Sequence, residues 1–252
     1  MSAAPGLSLN LPAWPVVDFA AFGEVEAVPL SRIQKLTAGY LSRNWVAIPQ
    51  VTHHDDADIT ALDGCRARLA NETGKRVTPV AFMVKALVEG LRAFPCFNAS
   101  LDASGQTLIL KKYFHVGIAV DTPAGLLVAV IRDCDKKGVV QIASEIADIS
   151  ARARTKGLPM TDMLGGCMTV SSLGHIGGTA FSPIINAPEV AILGVSKAQW
   201  KPQRGENANA IDWRMMLPLS LTYDHRVING ADAARFVAHV AAALAQPDTL
   251  VE

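Results

Sequence analysis

The sequence has few aromatic residues, few cysteines and no long apolar run. Aromatic residues make up 6% of the 252 residues, so the core must be built from aliphatic side chains. The four cysteines form no CxxC pair, which argues against a structural zinc site or a disulfide framework. Separate thiols are typical of a reducing compartment and predict a cytoplasmic protein. Without a run of ~18 apolar residues or a charged leader, we expect neither a membrane span nor a signal peptide.

The sequence also lacks net charge, because Lys+Arg and Asp+Glu both total 23. No basic face is indicated, so nucleic acid is not an expected partner. Half of the residues are hydrophobic, and the mean hydropathy of +0.25 is high for a soluble monomer. We therefore expect apolar surface to be buried between subunits.

Hydrophobic periodicity predicts helices and strands that do not alternate regularly. Helices are predicted from Ser31 to about 45, from Thr60 to about 71, from Thr78 to about 94, and over 136–157 and 231–244. Strands are predicted over 50–59, 107–112, 114–120, 126–132, 167–173, 190–195 and 213–223. This order favours a two-layer α/β sandwich with a mixed sheet over a doubly wound parallel sheet.

Three local features refine this prediction. Ser31 is a predicted N-cap, and Thr60 with Asp63 resembles a capping box. The polar segment 201–212 is predicted to be the tip of a surface hairpin. Residues 1–15 have no helical period, and we expect a linker remnant left by truncation or an arm that packs on a neighbouring subunit. Residues 16–252 then form the main domain.

His225 is the best candidate for a catalytic group. The apolar run that ends at Tyr223 stops at Asp224-His225-Arg226, and an Asn229-Gly230 turn and an alanine-rich amphipathic segment follow. Such a turn can hold a reactive side chain at the rim of a sheet, where a neutral imidazole acts as a base near pH 7. The pattern alone fits equally well a strand-end histidine that only hydrogen-bonds the turn.

Several segments, in order, resemble the catalytic domain of the dihydrolipoyl acyltransferases, the core component of 2-oxoacid dehydrogenase complexes. Within that family, the likeness is greatest to the acetyltransferases of bacterial pyruvate dehydrogenases. The segments that carry the resemblance are NWVAIPQVTHHDDADIT (44–60), FNASL (97–101), GIAVDTPAGLLVAVI (117–131), MTVSSLGHIGGTAFSPIINAPEVAILGVSKA (168–198) and LTYDHRVINGADAARF (221–236).

The resemblance implies a chloramphenicol acetyltransferase-like fold and a homotrimer, with an acyltransferase catalytic domain over 16–252. It implies acetyl transfer between dihydrolipoyl-lysine and coenzyme A in a channel between two subunits. The trimers are expected to assemble into a 24-subunit cube, partly through an apolar C-terminal tail to which Leu250 and Val251 could contribute. The expected partners are lipoyl domains and, through domains absent from this chain, the decarboxylase and dihydrolipoyl dehydrogenase components.

The resemblance also assigns catalytic residues. His225 is the general base, and Ser171 of the facing subunit stabilises the oxyanion. From its position alone, Ser171 is better explained as a serine that bonds its own strand-end backbone. Most family members have aspartate where this chain has Asn229. We expect Asn229 to shape the turn and to bond a transient intermediate.

Coenzyme A is expected to contact residues elsewhere in the chain. Asp121 is expected near the channel, although a carboxylate that caps a turn is the alternative. Asn98 and Ser100 could line the coenzyme A arm, or they could simply form a turn. Asp224 and Arg226 are predicted to form structural salt bridges, and no metal ligands are predicted.

Two other functions remain open from the sequence. The chain could be a structural core scaffold whose activity is weakened by Asn229. Alternatively, it could be a free-standing acyltransferase for a small molecule, since no lipoyl domain is present in the 252 residues. Activity towards dihydrolipoamide separates the three functions.

Overall fold

A computed structural model describes residues 12–123, 125–205 and 210–252. Its α-helices are α1 (Arg32–Ala47), α2 (Leu62–Thr73), α3 (Pro79–Ala93), α4 (Val139–Lys156) and α5 (Gly230–Ala245). Its strands are β1 (Gln50–Asp58), β2 (Ala99–Leu101), β3 (Leu108–Leu110), β4 (Val116–Thr122), β5 (Gly125–Ile131), β6 (Met168–Ser172), β7 (Ala191–Val195), β8 (Gln199–Arg204) and β9 (Ile211–Asp224). None of the described helices is both long and apolar enough to cross a membrane.

Seven strands form one mixed sheet in the order β1-β9-β7-β6-β4-β5, and β8 pairs with the first half of β9. Strands β4, β6 and β7 run parallel to one another, whereas the other neighbours are antiparallel. Strands β2 and β3 form a separate hairpin. The mixed sheet of the predicted two-layer α/β sandwich is therefore confirmed.

The hydrophobic core lies between one face of this sheet and helices α3, α4 and α5. Most of helix α3 is buried, because most of its residues are apolar. It approaches α5 closely at Gly90, where a Cβ atom would lie 2.9 Å from the Phe236 ring. Phe97 stacks on Phe236 with ring centroids 4.0 Å apart. This stacked pair holds the turn that follows α3 against α5.

The opposite face of the sheet is more polar. Because side chains alternate along a strand, Met168 and Val170 of β6 point into the core while Thr169 and Ser171 point to this second face. Residues 179–189 run across it, and a Cβ atom on Gly194 would lie 2.8 Å from the Phe181 ring. The second face is thus covered by a loop instead of a helix.

The predicted N-terminal cap is correct for α1 but wrong for α2. The Ser31 hydroxyl accepts from the Gln34 backbone N–H, and Gln34 closes a capping box. The box predicted for Thr60 and Asp63 is wrong. Helix α2 has no side-chain cap, because the Thr60 hydroxyl bonds Asp58 and accepts from the Met215 backbone N–H at 2.9 Å.

The strand predictions are right in position but incomplete. Strand β2 was not predicted, and half of the supposed hairpin tip over 201–212 belongs to β8 and to the start of β9. Pairing such as Lys201 with Arg214 extends the hairpin, and Lys201 also binds Asp56 at 2.6 Å. Residues 206–209 of the predicted tip and residues 1–11 of the predicted arm lie outside the described residues.

The C-terminus packs on its own protomer. Leu250 is 2% exposed in the core, and the Val251 carbonyl accepts from the Val139 N–H at the start of α4. That carbonyl satisfies one of the free N–H groups at the helix N-terminus. Leu250 is therefore not free to form the apolar contact between trimers that the resemblance suggested.

Candidate active site

His225 lies in the turn between β9 and α5, at the end of the sheet. Its backbone N–H donates to the Pro49 carbonyl at 3.0 Å, which ties the turn to the chain entering β1. Its ring centroid is 5.7 Å from that of Tyr223. The imidazole is exposed in the protomer, and no described residue hydrogen-bonds its ring nitrogens. It is therefore accessible to a substrate or to a neighbouring subunit.

The turn is held by its two flanking charges. The Arg226 guanidinium grips the buried Asp224 carboxylate through Nε at 2.9 Å and Nη2 at 2.6 Å, and the Arg226 backbone N–H adds a third bond at 3.0 Å. Two-pronged pairs of this kind restrict geometry strongly. Hydrogen bonding to Asp224 raises the pKa of Arg226. The salt bridge predicted for these residues thus forms within the turn.

Asn229 caps α5. Its Oδ1 accepts from the Asp232 backbone N–H at 3.0 Å, and its Nδ2 donates to the Asp232 carboxylate at 2.6 Å. The amide therefore satisfies a free N–H at the helix start and fixes where the His225 turn ends. The side chain remains exposed beside His225, so a contact with an intermediate stays a prediction.

Replacing Asn229 with alanine is expected to lower the free energy of unfolding by about 0.5–2 kcal/mol, because the cap is lost. Denaturant unfolding measures this loss. Asn229→Asp, which keeps an acceptor at the cap, is the matched control. If folded Asn229→Ala transfers acetyl groups at the wild-type rate, Asn229 does not bond the intermediate.

Ser171 lies near the carboxyl end of the interior strand β6, at the opposite end of the strands from His225. It pairs with Gly194 of β7, which in turn pairs with Ser220 of β9, five residues before His225. Two strand spacings across and five residues along separate the two Cα atoms by roughly 19 Å. The two predicted catalytic side chains therefore do not meet within one protomer.

Asp121 lies at the same end of the strands as Ser171. It is exposed near the end of β4, which runs parallel to β6 with Ile118 beside Val170. Continuing this register puts the Cα atoms of Asp121 and Ser171 roughly 8 Å apart. Asp121 pairs with Leu126 inside the β4–β5 hairpin, so the predicted loop is shorter than 121–125. The geometry brings Asp121 and Ser171 together and leaves His225 apart.

Asn98 directly precedes β2 and Ser100 lies within it, and both are buried. The Asn98 amide donates to the carbonyls of Lys111 and Tyr113 at 3.0 and 3.1 Å. The Ser100 hydroxyl donates to the Pro188 carbonyl at 2.6 Å. Both side chains thus donate to backbone carbonyls. Asn98 Oδ1, by contrast, has no hydrogen-bond partner among the described residues. Contact with coenzyme A remains a prediction for both.

The site has neither a thiol nor a metal cluster among the described residues. All four cysteines are free, and burial raises the pKa of Cys134 to about 12. No group of three or more His, Cys, Asp or Glu side chains within the described ranges is arranged to hold a metal ion. What remains is the exposed imidazole of His225 at one end of the strands, and the Ser171 hydroxyl with the Asp121 carboxylate at the other end.

The sequence patterns did not single out Glu189 or Thr169. Glu189 is almost fully buried and accepts from the Thr169 hydroxyl at 2.9 Å. A signal was present, because Glu189 is an acidic residue placed directly before the apolar run 190–195. A charge at the start of a buried strand needs a partner or a raised pKa.

A family model described as the catalytic domain of 2-oxoacid dehydrogenase acyltransferases matches residues 22–252. The dihydrolipoyllysine-residue acetyltransferase component of the Haemophilus influenzae pyruvate dehydrogenase complex is 49% identical over 98% of the chain. The corresponding component from Cupriavidus necator is 54% identical over 92% of the chain. The chain spans 44% and 42% of the length of these two relatives.

Solved structures agree with these relatives. The dihydrolipoamide acetyltransferase of Azotobacter vinelandii superposes with a TM-score of 0.91 at 49% identity, covering 96% of this chain and 100% of that one. That structure was used to investigate the catalytic roles of a serine, a histidine and an asparagine. Its histidine and asparagine are four residues apart, as are His225 and Asn229.

Two further structures extend the comparison. The cubic core of a pyruvate dehydrogenase multienzyme complex has a TM-score of 0.91 at 50% identity, again over 96% of this chain and 100% of the other. A chloramphenicol acetyltransferase has a TM-score of 0.54 at 15% identity, covering 81% of this chain and 94% of that one. The second likeness shows the shared fold alone.

Proposed function

Because this chain belongs to the acyltransferase family of the 2-oxoacid dehydrogenases, we propose that it transfers an acetyl group between dihydrolipoyl-lysine and coenzyme A. The observation that carries the proposal is the exposed His225 in a braced turn, four residues before Asn229 as in the A. vinelandii acetyltransferase. Coenzyme A is a substrate here, and the lipoyl-lysine arrives on a domain outside the 252 residues.

His225 acts as the general base in this reaction. A free thiol has a pKa of about 8.5, so little thiolate exists at neutral pH. An uncharged His225 nitrogen accepts the proton from the coenzyme A sulfur as that sulfur attacks the acetyl carbonyl carbon. The dihydrolipoyl sulfur then leaves as the carbonyl reforms and takes up a proton. Both acyl compounds are thioesters of similar energy, so the exchange needs no nucleotide hydrolysis.

Ser171 stabilises the tetrahedral intermediate. Attack on the carbonyl gives an oxyanion, and a fixed hydroxyl donor at that oxygen is worth roughly 2.7–4 kcal/mol. Ser171 lies on a paired strand and is half buried, so its hydroxyl is held in place. Because transfer is direct within a ternary complex, Ser171 need not be acylated.

A homotrimer with shared channels completes this site. Since Ser171 and His225 lie at opposite ends of the strands within one protomer, each channel needs His225 from one subunit and Ser171 from the next. The chain before α1 also exposes apolar side chains, with Trp14 at 90% and Phe22 at 83% exposure. We propose that residues 12–31, which extend beyond the arm expected over 1–15, pack on the neighbouring subunit.

The proposed larger assembly is supported by a structural relative, and the proposed location by the cysteines. We propose that the trimers form a cubic core of 24 subunits, since a cubic core shares this fold with a TM-score of 0.91. Lipoyl domains, the decarboxylase and dihydrolipoyl dehydrogenase would join it through other domains. The separate free cysteines suit a reducing cytoplasm.

A transfer assay tests the proposed function. The chain is mixed with dihydrolipoamide and acetyl-, succinyl- or isobutyryl-coenzyme A, and acyl-dihydrolipoamide is measured. We expect acetyl-coenzyme A to give the largest kcat/KM. Preference for succinyl- or isobutyryl-coenzyme A would mean that the natural acyl group is not acetyl. No turnover with any of the three thioesters would favour a scaffold. Sedimentation of the same sample should show trimers or larger assemblies, and an active monomer would contradict the shared channel.

A further inference from the structure

A buried carboxyl group next to the His225 turn takes no part in the proposed chemistry. Glu189 is 4% exposed. Its Oε1 accepts from Thr169 Oγ1 at 2.9 Å and from Asn186 Nδ2 at 3.3 Å. Its Oε2 has no hydrogen-bond partner among the described residues. Because a buried carboxylate with one bare oxygen is costly, the geometry favours the protonated form.

Two glycines make room for this contact. A Cβ atom on Gly166 would lie 2.7 Å from Glu189 Oε1. A Cβ atom on Gly117 would lie 2.5 Å from Thr169 Oγ1. Real Cβ atoms do not approach other atoms so closely, so larger residues at these two positions would push the pair apart. The carboxyl group and the hydroxyl therefore share a closely fitted slot.

The backbone next to Glu189 holds the His225 turn. The Val190 carbonyl accepts from the Asp224 N–H at 2.8 Å, and Asp224 is the residue that Arg226 grips. Earlier in the same segment, the Ile185 N–H donates to Gln50 Oε1 at 2.9 Å, and Gln50 pairs with Asp224. Segment 185–190 is thus fastened to the turn at two places.

The same segment is anchored on its other side. Ser100 Oγ donates to the Pro188 carbonyl at 2.6 Å, and Asn44 Nδ2 donates to the Ile185 carbonyl at 2.9 Å. Glu189 lies between these anchors and the turn. A change in the charge of its carboxyl group therefore acts directly on the segment that supports His225.

The charged and titratable groups around Glu189 are Lys111 and Cys167. Burial raises the pKa of Glu189 to about 7, against the opposing effects of the Thr169 bond and the charge of Lys111. Burial also lowers the pKa of Lys111, whose Nζ donates to the Gly166 carbonyl at 3.2 Å. Burial raises the pKa of Cys167. Glu189 consequently changes its charge close to neutral pH.

We propose that Glu189 is a positioning residue for His225: its uncharged carboxyl group holds segment 185–190 in place, and loss of its proton loosens the turn and slows acetyl transfer. An ionised carboxylate must be hydrated, and water can reach it only if the segment moves. That movement strains the bond between the Val190 carbonyl and the Asp224 N–H. The inference rests on the proposed function, because the reaction is what His225 must be positioned for.

The pH dependence of the Glu189→Gln variant tests the role. The amide keeps the shape of the protonated carboxyl group and cannot ionise. We expect the rate of Glu189→Gln divided by the wild-type rate to rise by about fivefold or more between about pH 6 and pH 8.5. Taking this ratio cancels the pH dependence of His225 and of the attacking dihydrolipoamide thiol, which both proteins share. Glu72→Gln, an exposed carboxyl group on α2, is the control and should give a flat ratio.

A second variant separates positioning from substrate binding. Thr169→Val removes the hydroxyl that donates to Glu189 while keeping a similar volume. We expect a lower kcat with an unchanged KM for acetyl-coenzyme A, because the turn and not the binding channel is disturbed. An unchanged kcat would show that the Thr169–Glu189 bond does not support His225.

The protonation is also measurable without activity. The folded pKa of about 7 lies above the ordinary value of 4.5, so the folded protein keeps a proton that the unfolded chain loses. Stability from this group is therefore lost as the pH rises from about 4.5 to about 7, and the loss levels off above that. The unfolding midpoint of wild type minus that of Glu189→Gln should fall over the same window. A constant difference would overturn the inference.

The outcomes distinguish the two proposals. A wild-type chain without transfer activity would remove the proposed function and this inference with it. An active wild type with a flat Glu189→Gln ratio would remove only the positioning role.

Discussion

Replacing His225 with alanine is expected to lower kcat for acetyl transfer by about 10²–10⁴-fold, the usual contribution of a general base. Without the imidazole, the attacking thiol, which belongs to dihydrolipoamide when acetyl-coenzyme A is the donor, must lose its proton to water, and thiolate is scarce at neutral pH. Single-turnover transfer from acetyl-coenzyme A to dihydrolipoamide measures the loss without interference from product release.

The structure indicates that this substitution spares the fold. The His225 ring is exposed, and its backbone N–H, which survives the change, makes the bond to Pro49. The unfolding midpoint should therefore stay within the small range seen for exposed substitutions. His239→Ala, which removes an exposed histidine from α5, serves as the control and should keep wild-type kcat. A His225→Ala chain that kept most of its activity would rule out His225 as the base.

Mixing His225→Ala subunits with Ser171→Ala subunits is expected to restore activity that neither variant has alone. Ser171→Ala should by itself lower kcat by about 10²–10³-fold, because it removes an oxyanion donor. In a mixed trimer, a channel that takes His225 from one variant and Ser171 from the other is intact. With random reassembly of equal amounts, about a quarter of all channels are intact, since each mixed trimer contains one such channel.

The restored activity is measured after the two variants are unfolded together and refolded. Refolding them separately and then mixing them is the control, and it should give no recovery if trimers do not exchange subunits. Recovery near a quarter of the wild-type rate would show that the two groups come from different protomers. Failure to recover, with trimers demonstrated by sedimentation, would mean that both groups act within one protomer, against the roughly 19 Å separation that the strand register gives.

Patterns confined to neighbouring residues predicted much of the fold. The cap at Ser31 and the proline start of α3 were right because a helix terminus is set by residues within one turn of it. The capping box at Thr60 was wrong because a distant strand competes for the same hydroxyl through the Met215 N–H. Strand β8 was missed because its polar sequence becomes a strand only by pairing with β9.

In the candidate site, too, features set by neighbouring residues were predictable and features set by distant contacts were not. The turn at His225 and the cap at Asn229 were predictable, because an apolar run, a polar cluster and an Asn-Gly pair lie within one short stretch. The burial of Asn98 and Ser100 was not predictable, since their partners are the carbonyls of Lys111, Tyr113 and Pro188, up to 88 residues away.

By itself, the sequence determined the order and kind of most elements, the family and the residues to consider, because periodicity and motifs are properties of adjacent positions. Only the tertiary structure decided that Ser171 and His225 lie at opposite ends of the strands of one sheet, and that Glu189 is buried within the segment that contacts the His225 turn. Both facts depend on strand register and on contacts between distant segments. Periodicity along the chain carries no information about either, because register is settled only when the whole sheet is packed.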